Sequence, residues 1–146
     1  IGTLDGANVE IKEEVGEDNI FIFGLSADQV ARKQGEGYDP RHFYSTNEEL
    51  RRTLDMIAGG YFSKGQFDLF RPIVEALLSW NDPYMRLADY ESYIACQERV
   101  NAVFSDSEAW TRMAILNVAG MGKFSTDRTI REYANDIWGI NPVEVD

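Results

Sequence analysis

Apolar side chains recur at helical spacing through most of the chain. Leu50, Leu54 and Ile57 form one run, Phe70, Ile73, Val74, Leu77 and Leu78 a second, and Tyr93, Cys96, Val100, Val103 and Phe104 a third. Trp110, Met113 and Ala114, with Asn117 in step, make a fourth, and Ile130, Tyr133, Ala134, Ile137 and Trp138 a fifth. A period near 3.6 places each run on one helical face, so each predicts an amphipathic helix. Two stretches near the start break the pattern. Ile1 to Leu4 and Ile20 to Phe23, the latter rich in Ile and Phe and stopped by Gly24, predict short strands. Ala7 to Val15, ended by Gly16, fits a short helix between them. The opening is therefore β-α-β, a unit that normally makes two parallel strands with a right-handed crossover.

The helix starts carry their own signals. Ser26-Ala27-Asp28-Gln29, Thr46-Asn47-Glu48-Glu49 and Ser105-Asp106-Ser107-Glu108 match the pattern in which the first side chain accepts an amide proton and the fourth reaches back. Asp39, before Pro40, and Asp89 are further N-cap candidates. Gly35, the Gly59-Gly60 pair, Gly120 and Gly139 predict stops, and 61–66 and 81–87 read as loop joints. Counted this way, roughly 60% of residues are helical, about twice the usual share.

Two parallel strands are too few for a stable sheet, because parallel sheets normally lie buried with helices on both faces. The fold class expected is α/β, the helix-rich back half of a larger doubly wound domain, with residues 1–25 as the β-α-β unit and 26–146 as a helical part. The chain starts at Ile1 without a methionine, inside a strand-like run, which reads as a sign of truncation.

Composition narrows the class. With 44% apolar and 27% charged residues the chain has the profile of a soluble globular protein. Its 14 basic and 25 acidic residues give a net charge of −11, which repels nucleic-acid phosphates and anionic lipid. The longest apolar run is far shorter than the ~20 residues of a membrane helix, and no targeting segment is visible. The single Cys96 has no disulfide partner and fits a small buried thiol, in keeping with a cytoplasmic location.

Candidate chemistry is sparse. Gly120-Met121-Gly122-Lys123 resembles a phosphate loop, but the first glycine of that pattern falls at Asn117, Phe124 replaces the hydroxyl residue, and a helix precedes it. A helix stop and tight turn is the better reading. Gly35-Glu36-Gly37 lacks the preceding strand of a dinucleotide fingerprint. His42, the sole histidine, has no nucleophile suggested beside it, and one His with one Cys cannot close a zinc site. Glu10, Glu13, Glu14, Glu17 and Asp18 contain the makings of a glycosidase pair, but their density favours a solvated face. Arg128 and Arg131, with Lys123, could face an anion or a neighbouring domain, but helix-surface ion pairs are the better reading. The aromatics could stack on sugar rings, although their helical spacing favours packing for most of them.

Three stretches resemble the C-terminal region of α-glucan (glycogen or maltodextrin) phosphorylases. They are Ile1-Gly2-Thr3-Leu4-Asp5-Gly6-Ala7-Asn8-Val9-Glu10-Ile11 with Asn19-Ile20-Phe21-Ile22-Phe23-Gly24, then Ala88-Asp89-Tyr90-Glu91-Ser92-Tyr93 with Cys96-Gln97-Glu98-Arg99-Val100, then Trp110-Thr111-Arg112-Met113 leading to Gly122-Lys123-Phe124-Ser125-Thr126-Asp127-Arg128-Thr129-Ile130 and on to Tyr133 and Ile137-Trp138-Gly139. They match in order and spacing over nearly the whole chain.

The resemblance implies a glycosyltransferase of two Rossmann-like (GT-B type) domains that moves a terminal glucosyl unit from an α-1,4-glucan to inorganic phosphate, giving glucose 1-phosphate. It implies pyridoxal phosphate as cofactor of the intact parent, whose phosphate group exchanges a proton with the substrate phosphate. The lysine that holds the cofactor and the loop that contacts sugar and phosphate would lie upstream of Ile1. No catalytic, cofactor-binding or metal residue is therefore assigned, and neither bound cofactor nor activity is expected of this chain alone. Asp5, Gly6, Ala7 and Asn8 are read as architecture at the strand exit. The last helices would brace the N-terminal domain of the same protein, with Trp110, Met113, Tyr133, Ile137 and Trp138 as the apolar contacts, and the parent is expected to form a homodimer. Two other readings stand beside it: an independent, non-catalytic helical interaction module, and a small hydrolase using Glu10 with Glu13 or Glu14.

Overall fold

The computed structural model describes residues 1–80, 82–141 and 143; Asn81, at the head of the second predicted loop joint, lies outside the described residues. Of the described residues, 69% are helical. The only sheet among them pairs β1 (Gly2–Thr3) with β2 (Ile22–Phe23) in parallel, Gly2 opposite Ile22 and Thr3 opposite Phe23. Both strands are shorter than the apolar runs that predict them. With one neighbour each they have few partners to extend the ladder, and Ile20 adopts extended backbone without joining it. The coarse α/β class holds, in a strongly helical form.

The chain divides into two compact units, residues 1–5 with 22–101 and residues 6–21 with 102–146. The connection between the two strands thus belongs to the second unit and the strands themselves to the first.

In the first unit, β1 and β2 accompany α2 (Ala27–Glu36), α3 (Pro40–Thr46), α4 (Glu48–Ala58), α5 (Arg71–Leu77), a 3₁₀ turn (Arg86–Asp89) and most of α6 (Tyr90–Phe104). Leu50 and Leu54 from α4, Val74 from α5 and Leu87 from the 3₁₀ turn form the buried core, with Phe43, Ile57, Leu77 and Tyr90 among the side chains packed on it. The helical spacing of Leu50, Leu54 and Ile57 is what aims α4 inward. Cys96 is fully buried, as a small apolar thiol would be.

The capping signals hold with small shifts. At α2 both arms of the capping box form, Ser26 Oγ accepting from the Gln29 amide and Gln29 Oε1 from the Ser26 amide. Asp39 accepts from the Arg41 amide ahead of α3. The caps of α4 and of α7 (Ser107–Gly120) are Asn47 and Asp106, each one residue later than the predicted Thr46 and Ser105. Their amide and carboxylate oxygens accept the orphan N–H groups as well as a hydroxyl would, and Thr46 instead donates to the His42 carbonyl. The stop expected at Gly35 comes two residues later, at Gly37 with φ +88°, a conformation that favours glycine. Gly59 and Gly139 end their helices as expected.

The second unit holds α1 (Ala7–Val15), a 3₁₀ turn (Glu17–Asn19), the end of α6, α7, a 3₁₀ turn (Met121–Phe124), α8 (Thr126–Glu132) and a π-helical turn (Tyr133–Trp138). α1 packs against α7, and a Cβ added at Gly120 would lie 2.8 Å from the Glu14 carbonyl oxygen and 2.9 Å from the Val15 Cα. Asn117 Nδ2 donates to the Asn19 carbonyl at 3.1 Å. Trp110 stacks on Phe21 and takes Phe104 edge-on, with ring centroids 6.4 and 5.1 Å away. Val15 is the one apolar side chain of this unit that is buried, among the described residues. Ile115, Leu116, Val118, Ile130, Ile137 and Trp138 are exposed.

Candidate functional site

One polar arrangement in the first unit lies at the carboxyl ends of the two strands, where open α/β sheets collect ligands. β1 runs into Asp5, whose carboxylate accepts from Thr3 Oγ1 at 2.7 Å. β2 runs into Gly24 and Leu25. The Gly24 amide donates to Ser92 Oγ at 2.8 Å and the Leu25 amide to Asp89 Oδ1 at 2.9 Å. Ser92 Oγ in turn donates to the Asp89 carbonyl. Gly24 has φ +90°, and a Cβ there would meet the Asp89 carboxylate at 3.1–3.2 Å, so only glycine lets the carboxylate sit so close over the strand exit.

Burial raises the Asp89 pKa above the ordinary carboxylate value, the Leu25 amide opposes that, and the charge of Asp5 adds to it. Asp89, a predicted N-cap, thus ties the first turn of α6 to the end of β2 instead of capping its own helix. Arg99 adds a second tie, donating to the Ile22 carbonyl at 3.0 Å.

A neighbouring group surrounds Asp82. Its side chain is wholly buried, accepts from the Tyr84 and Arg86 amides and pairs with Arg86 at 3.2 Å. Met85, between them, takes a left-handed conformation at φ +49°. The Tyr38 hydroxyl is buried here with no well-aligned hydrogen-bond partner, and burial pushes its pKa up to about 12 against the opposing Leu87 amide. Neither Tyr38 nor Asp82 stands out in the sequence. The nearest signal is the Asp-Pro step at Asp82 and Pro83, which predicts a turn and carries no information on burial.

The other sequence candidates are taken up by structural contacts. Lys123 of the glycine-flanked run pairs with Glu14 at 2.6 Å, and that bond raises its pKa. Arg128 donates to the Lys123 carbonyl and pairs with Glu132 at 2.7 Å, the surface ion pairing expected of it. Glu17 is held by Lys12, whose hydrogen bond and charge lower the Glu17 pKa. Gly35 and Glu36 lie inside α2. His42 is exposed on α3 with its ring edge against Phe43. Among the described residues, no three His, Cys, Asp or Glu side chains gather where they could hold a metal ion, and no helix is long and apolar enough to cross a membrane.

A short parallel β-α-β start carrying a glycine over a carboxylate latch, followed by capped amphipathic helices, defines a helix-rich α/β protein. Residues 1–140 match the family model for carbohydrate phosphorylases, and the chain belongs to that family. It is 53% identical over 146 residues to a glycogen phosphorylase of Synechocystis sp., 50% over 142 residues to the muscle form of glycogen phosphorylase from Bos taurus, and 45% over 145 residues to the liver form from Homo sapiens. These alignments cover 97–100% of the chain, which spans 17% of the length of each relative.

Proposed function

We propose that this chain is part of the C-terminal, Rossmann-like domain of a GT-B type α-glucan phosphorylase. Its parent would transfer the terminal glucose of an α-1,4-glucan to inorganic phosphate and release glucose 1-phosphate in the cytoplasm. The observation that carries the reading is identity of about half, to glycogen phosphorylases, across essentially the whole chain. The strand-exit latch fits a structural share in that enzyme. Asp89, Ser92 and Arg99 fasten β2 to α6, and so fix where a further strand of a parallel sheet would continue.

Pyridoxal phosphate is the cofactor this family reading implies, and the residues present do not fit its anchorage. A Schiff-base lysine needs a desolvated amine able to lose its proton. Lys12 and Lys123 are in ion pairs, Lys33 lies over the Phe43 ring at 5.1 Å, and Lys64 is exposed on a turn. No step through the cofactor is therefore assigned to this chain, and its share of the reaction is to hold the architecture.

The second unit supports a bracing role. Tyr133, Ile137 and Trp138, expected to meet another domain, are exposed, while Trp110 and Met113 are half-buried. In this reading the N-terminal domain of the same protein covers them, and the parent forms a homodimer.

The test is to read the gene upstream of Ile1 and assay its product. A glycine-rich segment bearing a lysine, and glucose 1-phosphate formed from maltodextrin and phosphate, are the expected results. A product of about this length, with no phosphorolysis, would instead support the independent helical module. The 146-residue chain alone is expected neither to hold a pyridoxal absorbance band nor to make glucose 1-phosphate.

A further inference from the structure

Between β1 and α1 the chain makes its one Asp-Gly step, at Asp5 and Gly6, and it has no Asn-Gly step. Both residues are exposed. Gly6 stands at φ +48° ahead of α1, its amide donates no hydrogen bond among the described residues, and a Cβ built on it would meet nothing within 4 Å. A glycine there is conformationally free and leaves its own nitrogen unscreened by a side chain. The neighbouring carboxyl is open as well. Thr3 Oγ1 donates to Asp5 Oδ1 at 2.7 Å, and no backbone amide holds either oxygen among the described residues.

A second exposed aspartate supplies the contrast. Asp106 precedes Ser107, another small residue, but its carboxylate accepts from the Glu108 and Ala109 amides, both at 3.1 Å. Ser107 is already the first residue of α7. The cap keeps that carboxyl on amides further along the chain, and the helix fixes the Ser107 nitrogen. Asp5 is under neither restraint.

We propose that Asp5-Gly6 is a site of isoaspartate formation, and that its product is a substrate for a carboxyl methyltransferase that uses S-adenosylmethionine. The Gly6 nitrogen attacks Asp5 Cγ. An N–Cγ bond forms, the Cγ–OH bond breaks, and the hydroxyl leaves as water with the amide hydrogen. The reacting groups sit on adjacent residues, so closing the five-membered imide needs no encounter between separate molecules. Water then opens the ring at the Asp5 α-carbonyl carbon, its hydroxyl staying on that carbon and its hydrogen going to the nitrogen. The mass returns to its starting value, the main chain now runs through Cγ, and the α-carboxylate is left as an exposed branch. That branch takes the methyl group from the donor sulfonium, whose S–C bond breaks. One carbon has been added to the backbone immediately before Gly6, the N-cap of α1, so the first turn of that helix is what it disturbs.

Incubation of the 146-residue chain at neutral pH, then labelling with an isoaspartyl methyltransferase and tritiated S-adenosylmethionine and mapping of the labelled peptides, tests this. Label is expected to accumulate with time in the peptide that carries Asp5. Its rate in the folded chain should lie within about three-fold of the rate in guanidinium chloride, because an open segment gains little protection from folding. At Asp106, folding should slow the same reaction about ten-fold, the worth of a helix cap. Asp5→Glu keeps the charge but needs a six-membered ring, which closes far more slowly, and should lose the label. The comparison of Asp5 with Asp106 is made within the unaltered chain and depends on no variant. No label at Asp5 in the folded chain, equal suppression by folding at Asp5 and Asp106, or label that persists at residue 5 in Asp5→Glu would overturn the proposal. None of these outcomes bears on the phosphorylase reading, which is judged by glucose 1-phosphate formation.

Discussion

The two units carry the same kind of sequence signal and use it differently. In the first, the periodic apolar residues of α4 and α5 meet one another: Leu50 and Leu54 are each 3% exposed and close on Val74 and Leu87. In the second, the run along α8 and the π turn is as regular, yet Ile130 is 49% and Ile137 67% exposed. What joins the helices there is a glycine against a backbone, an asparagine bridge, two ring contacts and an ion pair. Periodicity thus identifies a face to be covered and is silent on what covers it.

That contrast is open to direct attack. Leu54→Ala should cost about 2–5 kcal/mol in urea unfolding, because it removes buried methyls from a closed core. Ile137→Ala, an equally periodic position, should change stability by no more than about 0.5 kcal/mol. Similar losses at both would erase the distinction. Gly120→Ala should cost about 1–3 kcal/mol, since its methyl would press on Glu14 and Val15 where α1 meets α7. A neutral result would mean that this contact is loose and the second unit weaker still.

The smallest effect is one of pH. Burial raises the Asp89 pKa in the fold, so the folded state binds that proton more tightly than the unfolded chain. The corresponding stability is present below the unfolded pKa and lost as pH rises through the higher folded value. Asp89→Asn keeps an oxygen to accept from Leu25 and should flatten this loss in denaturation midpoints measured from pH 3 to 7. An unchanged slope would remove Asp89 as its source.

Local chemistry made much of the fold legible. Ser26 with Gln29, Asp39 before Pro40, and the Gly59-Gly60 stop act within a few residues, and each is found at or within a residue of its predicted place. The strands were visible as Ile- and Phe-rich runs, but their length depends on neighbours in a sheet, which no local pattern encodes. The strand-exit latch was half visible. Asp89 stood out as a cap, while its true partner, the Leu25 amide, is 64 residues away. The burial of Asp82 and of the Tyr38 hydroxyl was not legible at all, because loops lack the period that reports an inward face.

Hydrogen exchange along the 146-residue chain tests the central contrast most directly. The account predicts slow exchange for amides of α4 from Leu50 to Ile57 and around Cys96 in α6, and fast exchange from Thr126 through Trp138. Equal protection in both stretches would show that the second unit has a core as closed as the first, and would contradict it.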